Sequence, residues 1–148
     1  MHSTVLQKAL PIVARAVSEK YEGLEVFVGG DVACTEGKNI FIPSLPDTAQ
    51  ARLLARGFID HEAAHIRHTD FRVQVCSLSN ALEDIRIEEK LSQDLPGAKK
   101  NLRELAEHMV QSGKVSVSAA DQDIDLLAKY ANFRLRCERL GHDCSQIW

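Results

Sequence analysis

His61-Glu62-Ala63-Ala64-His65-Ile66-Arg67-His68 is the stretch on which the reading of this chain turns. Residues four apart lie one above the other on a helix face, so His61 and His65 can aim two imidazoles at one point. Glu62 is rotated by about 100° from His61 and flanks that point without occupying it. Two neutral imidazoles and a nearby carboxylate are what a hydrolytic zinc site takes from one helix: two ligands and a general base.

The flanking sequence supplies the helix. Pro46-Asp47 reads as its start, with Asp47 as N-cap, and Thr48 to Thr69 holds no proline and one glycine, Gly57. Leu54, Phe58, His61, His65 and His68 alternate steps of four and three along one face. Arg52, Arg56, Asp60 and Arg67 form a polar stripe, with Ala63 in its gap. Leu53, Ile59, Ala64 and Ile66 widen the apolar surface, so the helix is expected to be mostly buried. A lone histidine on such a face is best read as a satisfied core residue. Two at this spacing with Glu62 between them are better read as ligands.

Zinc at a hydrolytic site usually takes three protein ligands. His68 stands about 10 Å along the axis from His61 and cannot share one ion with both other histidines. A metzincin-type third histidine would fall at Phe71, which excludes that class. The better source is the acidic helix Asn80-Ala81-Leu82-Glu83-Asp84-Ile85-Arg86-Ile87-Glu88-Glu89. Val75, Leu78, Leu82 and Ile85 make its apolar stripe, and Asn80, Glu83, Asp84 and Ile87 point elsewhere. Glu83 is the first choice for the carboxylate ligand and Asp84 the alternative; the other acids would orient the histidines through the second ring nitrogen. The competing reading is a solvated face on which Arg86 and Lys90 pair with the acids.

His61 to Phe71 (HEAAHIRHTDF) and Asn80 to Glu88 (NALEDIRIE) together resemble the zincin-type domain of proteins related to the cobaltochelatase CobT subunit. Such domains occur in bacteria and phages, often ahead of a von Willebrand factor A domain. Thr35 to Pro43 is similar to the segment that forms the edge strand over the cleft in gluzincin-like peptidases. The resemblance runs from about Gly29 to Leu140. It implies His61 and His65 as metal ligands, Glu62 as base, and Glu83 or Asp84 as third ligand. It departs from the thermolysin-like pattern at Ile87, four after Glu83; the acid at that spacing is Glu88, four after Asp84.

Length and composition bound the rest. A chain of 148 residues, 45% hydrophobic and 26% charged, reads as one globular domain, 1–148, compatible with a domain excised from a longer chain. A net charge of −3 leaves no footprint for nucleic acid. No apolar run reaches membrane-spanning length and no signal peptide opens the chain, so a cytoplasmic location, bacterial or that of a phage protein in its host, is expected. Cys34, Cys76, Cys137 and Cys144 contain no C-x-x-C pair, consistent with reduced thiols. Cys137, His142 and Cys144 cluster without any familiar metal spacing.

Coarsely, a helix from Thr4 to Lys20, perturbed at Pro11, precedes strands at Leu24–Val28 and Lys38–Ile42, with a third around Asp31–Thr35. The zinc helix and the acidic helix follow. Pro96-Gly97 breaks the chain, and helices at Asn101–Gln111 and Asp121–Leu140, the last ended by Gly141, complete it. The fold class expected is α+β: a small N-terminal sheet, an active-site helix and further C-terminal helices. The function expected is zinc-dependent peptide hydrolysis, with Glu62 taking the proton of a zinc-activated water. His108, Tyr130, Arg86 and His142 are candidates to stabilise the oxyanion, and an edge strand at Asn39–Phe41 would hold an extended peptide. The alternative is a catalytically silent metal-binding scaffold, or a chelatase-type subunit acting with an ATPase partner or a von Willebrand factor A domain.

Overall fold

A computed structural model describes residues 5–73, 76–115 and 123–143. The backbone divides into two compact units, Met1–Thr69 and Asp70–Trp148. Five α-helices and one three-stranded sheet make the chain α+β.

The first unit opens with α1, Val5–Ser18, which runs through Pro11 although that residue removes one backbone hydrogen bond. It stops at Glu19, whose φ of 56° is left-handed. Strand β1 is Glu25–Val28, β2 is Cys34–Glu36 and β3 is Asn39–Ile42. The sheet order is β1-β3-β2. β3 pairs in parallel with β1 and antiparallel with β2. The segment Asn39–Phe41, expected at an edge, is therefore the central strand. The hairpin at Gly37 (φ 60°) puts β2 on one side of β3 and leaves the other side for β1. The third strand begins at Cys34 rather than Asp31, because Gly29 and Gly30 carry the chain away after β1: Gly29 N–H donates to Ile42 and Ser44 N–H to Gly30.

Helix α2 spans Ala49–His68. Its N-cap is Thr48, whose hydroxyl accepts from the Ala51 N–H; Asp47, expected in that role, pairs with Arg52 at 2.8 Å instead. The alternating strand residues Ile40 and Ile42 join Leu10, Ala14 and Leu24 with Ala55, Ile59 and Ala63 of α2 in one core cluster. Two expectations about α2 are corrected here. Ala63, read as a gap in a polar stripe, is wholly buried, and so is its stripe-mate Asp60 at 3% exposed. Small residues at steps of four let the backbone of α2 approach its neighbours closely. That face buries well without looking strongly hydrophobic.

The second unit holds α3, Ser77–Asp94, α4, Pro96–Gln111, and α5, Asp123–Leu135. Pro96 is both the break that ends α3 and the first residue of α4, where its missing N–H is harmless. α4 therefore begins five residues before Asn101. A π turn, Arg136–Leu140, extends α5 and is closed by Gly141 at φ 69°. Asp121, the expected start of the last helix, lies outside the described residues. The apolar stripe expected on α3 is also corrected: Leu82 is exposed, and the buried residues are Ala81, Ile85, Ile87, Glu88 and Leu91. Val75 lies outside the described residues. The displacement has a cause in Glu88. Its carboxylate is buried because Arg136 meets it with both guanidinium nitrogens, so a charged residue occupies a core position.

Candidate metal centre

All residues of the H-E-x-x-H motif lie on α2, inside the first unit. The His61 and His65 rings sit edge to face with centroids 4.9 Å apart, and both are half-buried. His65 Nδ1 lies 3.0 Å from the Thr69 hydroxyl. Thr69 also caps the helix by donating its backbone N–H to the His65 carbonyl, so one residue fixes both ends of His65. With Nδ1–H donating to that hydroxyl, Nε2 keeps its lone pair and faces away from the bond. This is the tautomer a metal ligand requires.

Glu62 is 4% exposed. Its Oε2 accepts from the Thr35 hydroxyl at 2.7 Å, and the same hydroxyl lies 3.2 Å from the Glu62 carbonyl. Thr35 belongs to β2, which places an edge strand of the sheet directly beside the motif. Because side chains alternate, Thr35 faces the helix while Cys34 and Glu36 face outward. Partial desolvation, then the carboxylates of Glu62 and Glu36, raise the Cys34 thiol above its ordinary pKa. That environment disfavours a thiolate nucleophile.

The remaining predicted residues lie in the second unit. Glu83 and Asp84 stand on α3, both half-buried. Both carboxylate oxygens of Glu83 accept from Arg86, each at 2.6 Å, which is the pairing the charged-face reading anticipated. The same fork holds Arg86 above its ordinary pKa. Glu88, the acid four after Asp84, is committed to Arg136, and Glu89 to Arg139 at 3.3 Å. Of the oxyanion candidates, Arg86 is engaged by Glu83, and His142 is buried with its pKa lowered to about 4. Burial is the main cause of that lowering, followed by Arg136. His108 lies half-buried on α4, and Tyr130 is exposed on α5. Cys137 packs beside Val110 and Phe133, and Cys144 lies outside the described residues.

Two residues of this arrangement are absent from the sequence reading. Thr69 was within reach of it, since it stands four residues after His65, where a helical neighbour must lie. Thr35 was not, because its contact with Glu62 joins residues 27 apart.

The donor set tests well against a divalent metal of borderline softness: two imidazoles on one face, one with its second nitrogen already engaged, and a fixed carboxylate beside them. Among the described residues, no helix is long and apolar enough to cross a membrane. No curated protein and no solved structure matches the chain. A family model described as cobalamin biosynthesis protein CobT matches residues 2–144, a span that includes α2 and α3 entire. By that match, the chain belongs to the CobT family.

Proposed function

We propose that the chain is the metal-holding part of a chelatase-type subunit that acts with an ATPase partner. Zinc is the ion we assign, and a zincin-like arrangement around α2 is the fold we assign to the site. His61 and His65 would hold the ion through Nε2, with a carboxylate of α3 as the third ligand. Asp84 is the better choice for that role, because Glu83 would first have to release Arg86. The observation that carries the reading is the histidine pair with His65 Nδ1 already engaged by Thr69. Membership of the CobT family supports the chelatase setting. A bound zinc would supply a Lewis acid and a water of lowered pKa.

A second reading, peptide hydrolysis, is favoured by one further observation. Glu62 is buried, adjacent to a ligand, and held by Thr35 on its Oε2. A scaffold has no use for a carboxylate fixed in that way, whereas a general base does. In this reading Glu62 accepts a proton and passes it to the leaving amine, and the substrate is a peptide or protein.

The test has two stages. Metal content after dialysis against a mild chelator should be about one zinc per chain. It should be lost in both His61→Ala and His65→Ala; full retention in both variants removes the site from α2. Wild type and Glu62→Gln are then compared at equal zinc content on a denatured protein mixture. Cleavage lost about 10²–10⁴-fold in the variant establishes the hydrolytic reading. No cleavage by either, with zinc bound in both, leaves the chelatase-type reading alone.

A further inference from the structure

The outer face of the sheet carries residues that the core and the metal centre do not use. β1 and β3 turn Val26, Val28, Ile40 and Ile42 toward the core, so Glu25, Phe27, Asn39 and Phe41 face outward. On β2 the outward residues are Cys34 and Glu36. The pairing lines these six up in two rows. One row runs Phe27, Phe41, Cys34 across the sheet, and the next runs Glu25, Asn39, Glu36. The two phenylalanine rings stack with centroids 5.2 Å apart and planes inclined by 18°. Phe27 remains 44% exposed, and Val32 in the loop before β2 is 69% exposed.

The adjoining row is acidic at both ends. Two strand spacings put the Glu25 and Glu36 positions about 10 Å apart, with the neutral Asn39 between them. Both are exposed, and among the described residues neither has an ion-pair partner. Lys38, the nearest cation in sequence, is exposed at the hairpin and passes against Gly23 rather than over the aromatic row. A stacked aromatic pair would be a platform for bases in a nucleic-acid binder, but unneutralised carboxylates beside it repel a phosphate backbone. The same carboxylates favour a guanidinium or ammonium, and the ring faces favour that cation and its aliphatic stem together.

We propose that this face is a docking surface for an arginine- or lysine-bearing, partly apolar segment of a partner protein. The cations pair with Glu25 and Glu36, and the segment's apolar side chains cover Phe27 and Phe41. The proposal does not depend on a metal at His61 and His65, since none of its six residues belongs to that site.

The probe is a short dye-labelled peptide of alternating arginine and leucine, compared with its glutamate-leucine counterpart by fluorescence anisotropy on the full chain. The basic peptide should bind and the acidic one should not. Amide shifts on binding should concentrate at residues 25–28, 34–36 and 39–42. Glu25→Lys with Glu36→Lys should weaken binding by about tenfold or more, with circular dichroism unchanged. Phe27→Thr, which keeps a strand-favouring residue, should also weaken it. Equal binding of both peptides, insensitivity to the double charge reversal, or shifts elsewhere in the chain would each overturn the proposal. So would absence of binding at millimolar peptide. Shifts at these residues on raising the protein concentration alone would assign the face to a second copy of the chain and overturn it as well.

Discussion

Replacing Arg136 with alanine should destabilise the second unit more than any surface change. The carboxylate of Glu88 is 3% exposed and the guanidinium of Arg136 11% exposed. Arg136 Nη1 and Nη2 reach the two oxygens of Glu88, the second at 2.8 Å, and Nε donates to Asn132 at 2.7 Å. Asn132 in turn donates to the Ala81 carbonyl of α3 at 3.2 Å. Removing the guanidinium leaves a buried carboxylate with no counter-charge, a loss of about 3–5 kcal/mol. The bond to Asn132 adds about 1 kcal/mol. Against a total stability of about 5–15 kcal/mol, this is enough to populate the unfolded state. The assay is urea denaturation followed by circular dichroism, with the slope checked for constancy. The control is Glu88→Met with Arg136→Met. That double change removes both charges, restores apolar volume and should recover most of the loss. A single-variant loss below about 1 kcal/mol would mean that water reaches Glu88. A double variant as unstable as the single one would mean that the pair matters for its shape and not for its charge.

Three further outcomes follow from the same geometry. His142 has a folded pKa of about 4 against an ordinary 6.5, so the unfolded chain takes up its proton first. Stability should therefore fall as pH drops from 6.5 to about 4, and His142→Phe should flatten that part of a thermal-denaturation profile. Asp84→Asn should reduce zinc affinity more than Glu83→Gln, as measured by competition with a chromogenic chelator; the reverse ranking would make Glu83 the ligand despite Arg86. Thr35→Val should lower thermal stability by about 1–3 kcal/mol, because it leaves the buried Glu62 without its hydroxyl donor; a neutral effect would show that the bond is not formed in solution.

What could be read in the sequence was what short-range periodicity encodes. The α2 helix, its two histidines on one face and the closing Gly141 all depend on spacings of a turn or less, and the chain states them directly. The breaks at Pro46 and Pro96 were equally legible, although Pro96 begins a helix as well as ending one. What escaped depends on pairing between distant segments. Strand order was invisible because Asn39–Ile42 alternates in the same way whether it lies at an edge or between two neighbours. Glu88 looked like one more surface acid, and only Arg136, 48 residues on, makes it a core residue. Ala63 was misplaced for a different reason: alanine contributes little to a hydrophobic stripe, yet it is what a close helix contact needs.

The π turn at Arg136–Leu140 bears on how this chain can change in length. Such a turn is an α-helix that has absorbed one extra residue, and the excess is lodged here between the guanidinium of Arg136 and the side chains of Leu140 and His142. Deleting any one residue between 137 and 139 would let the helix close to its ordinary pitch. Everything after the deletion would then rotate by about 100°, carrying Leu140 and His142 off the surface they now bury against. Single-residue deletions are absorbed easily in loops. In this helix the reading frame of the fold is set by one residue, and lineages that keep Arg136 opposite Glu88 have to keep the count as well as the chemistry.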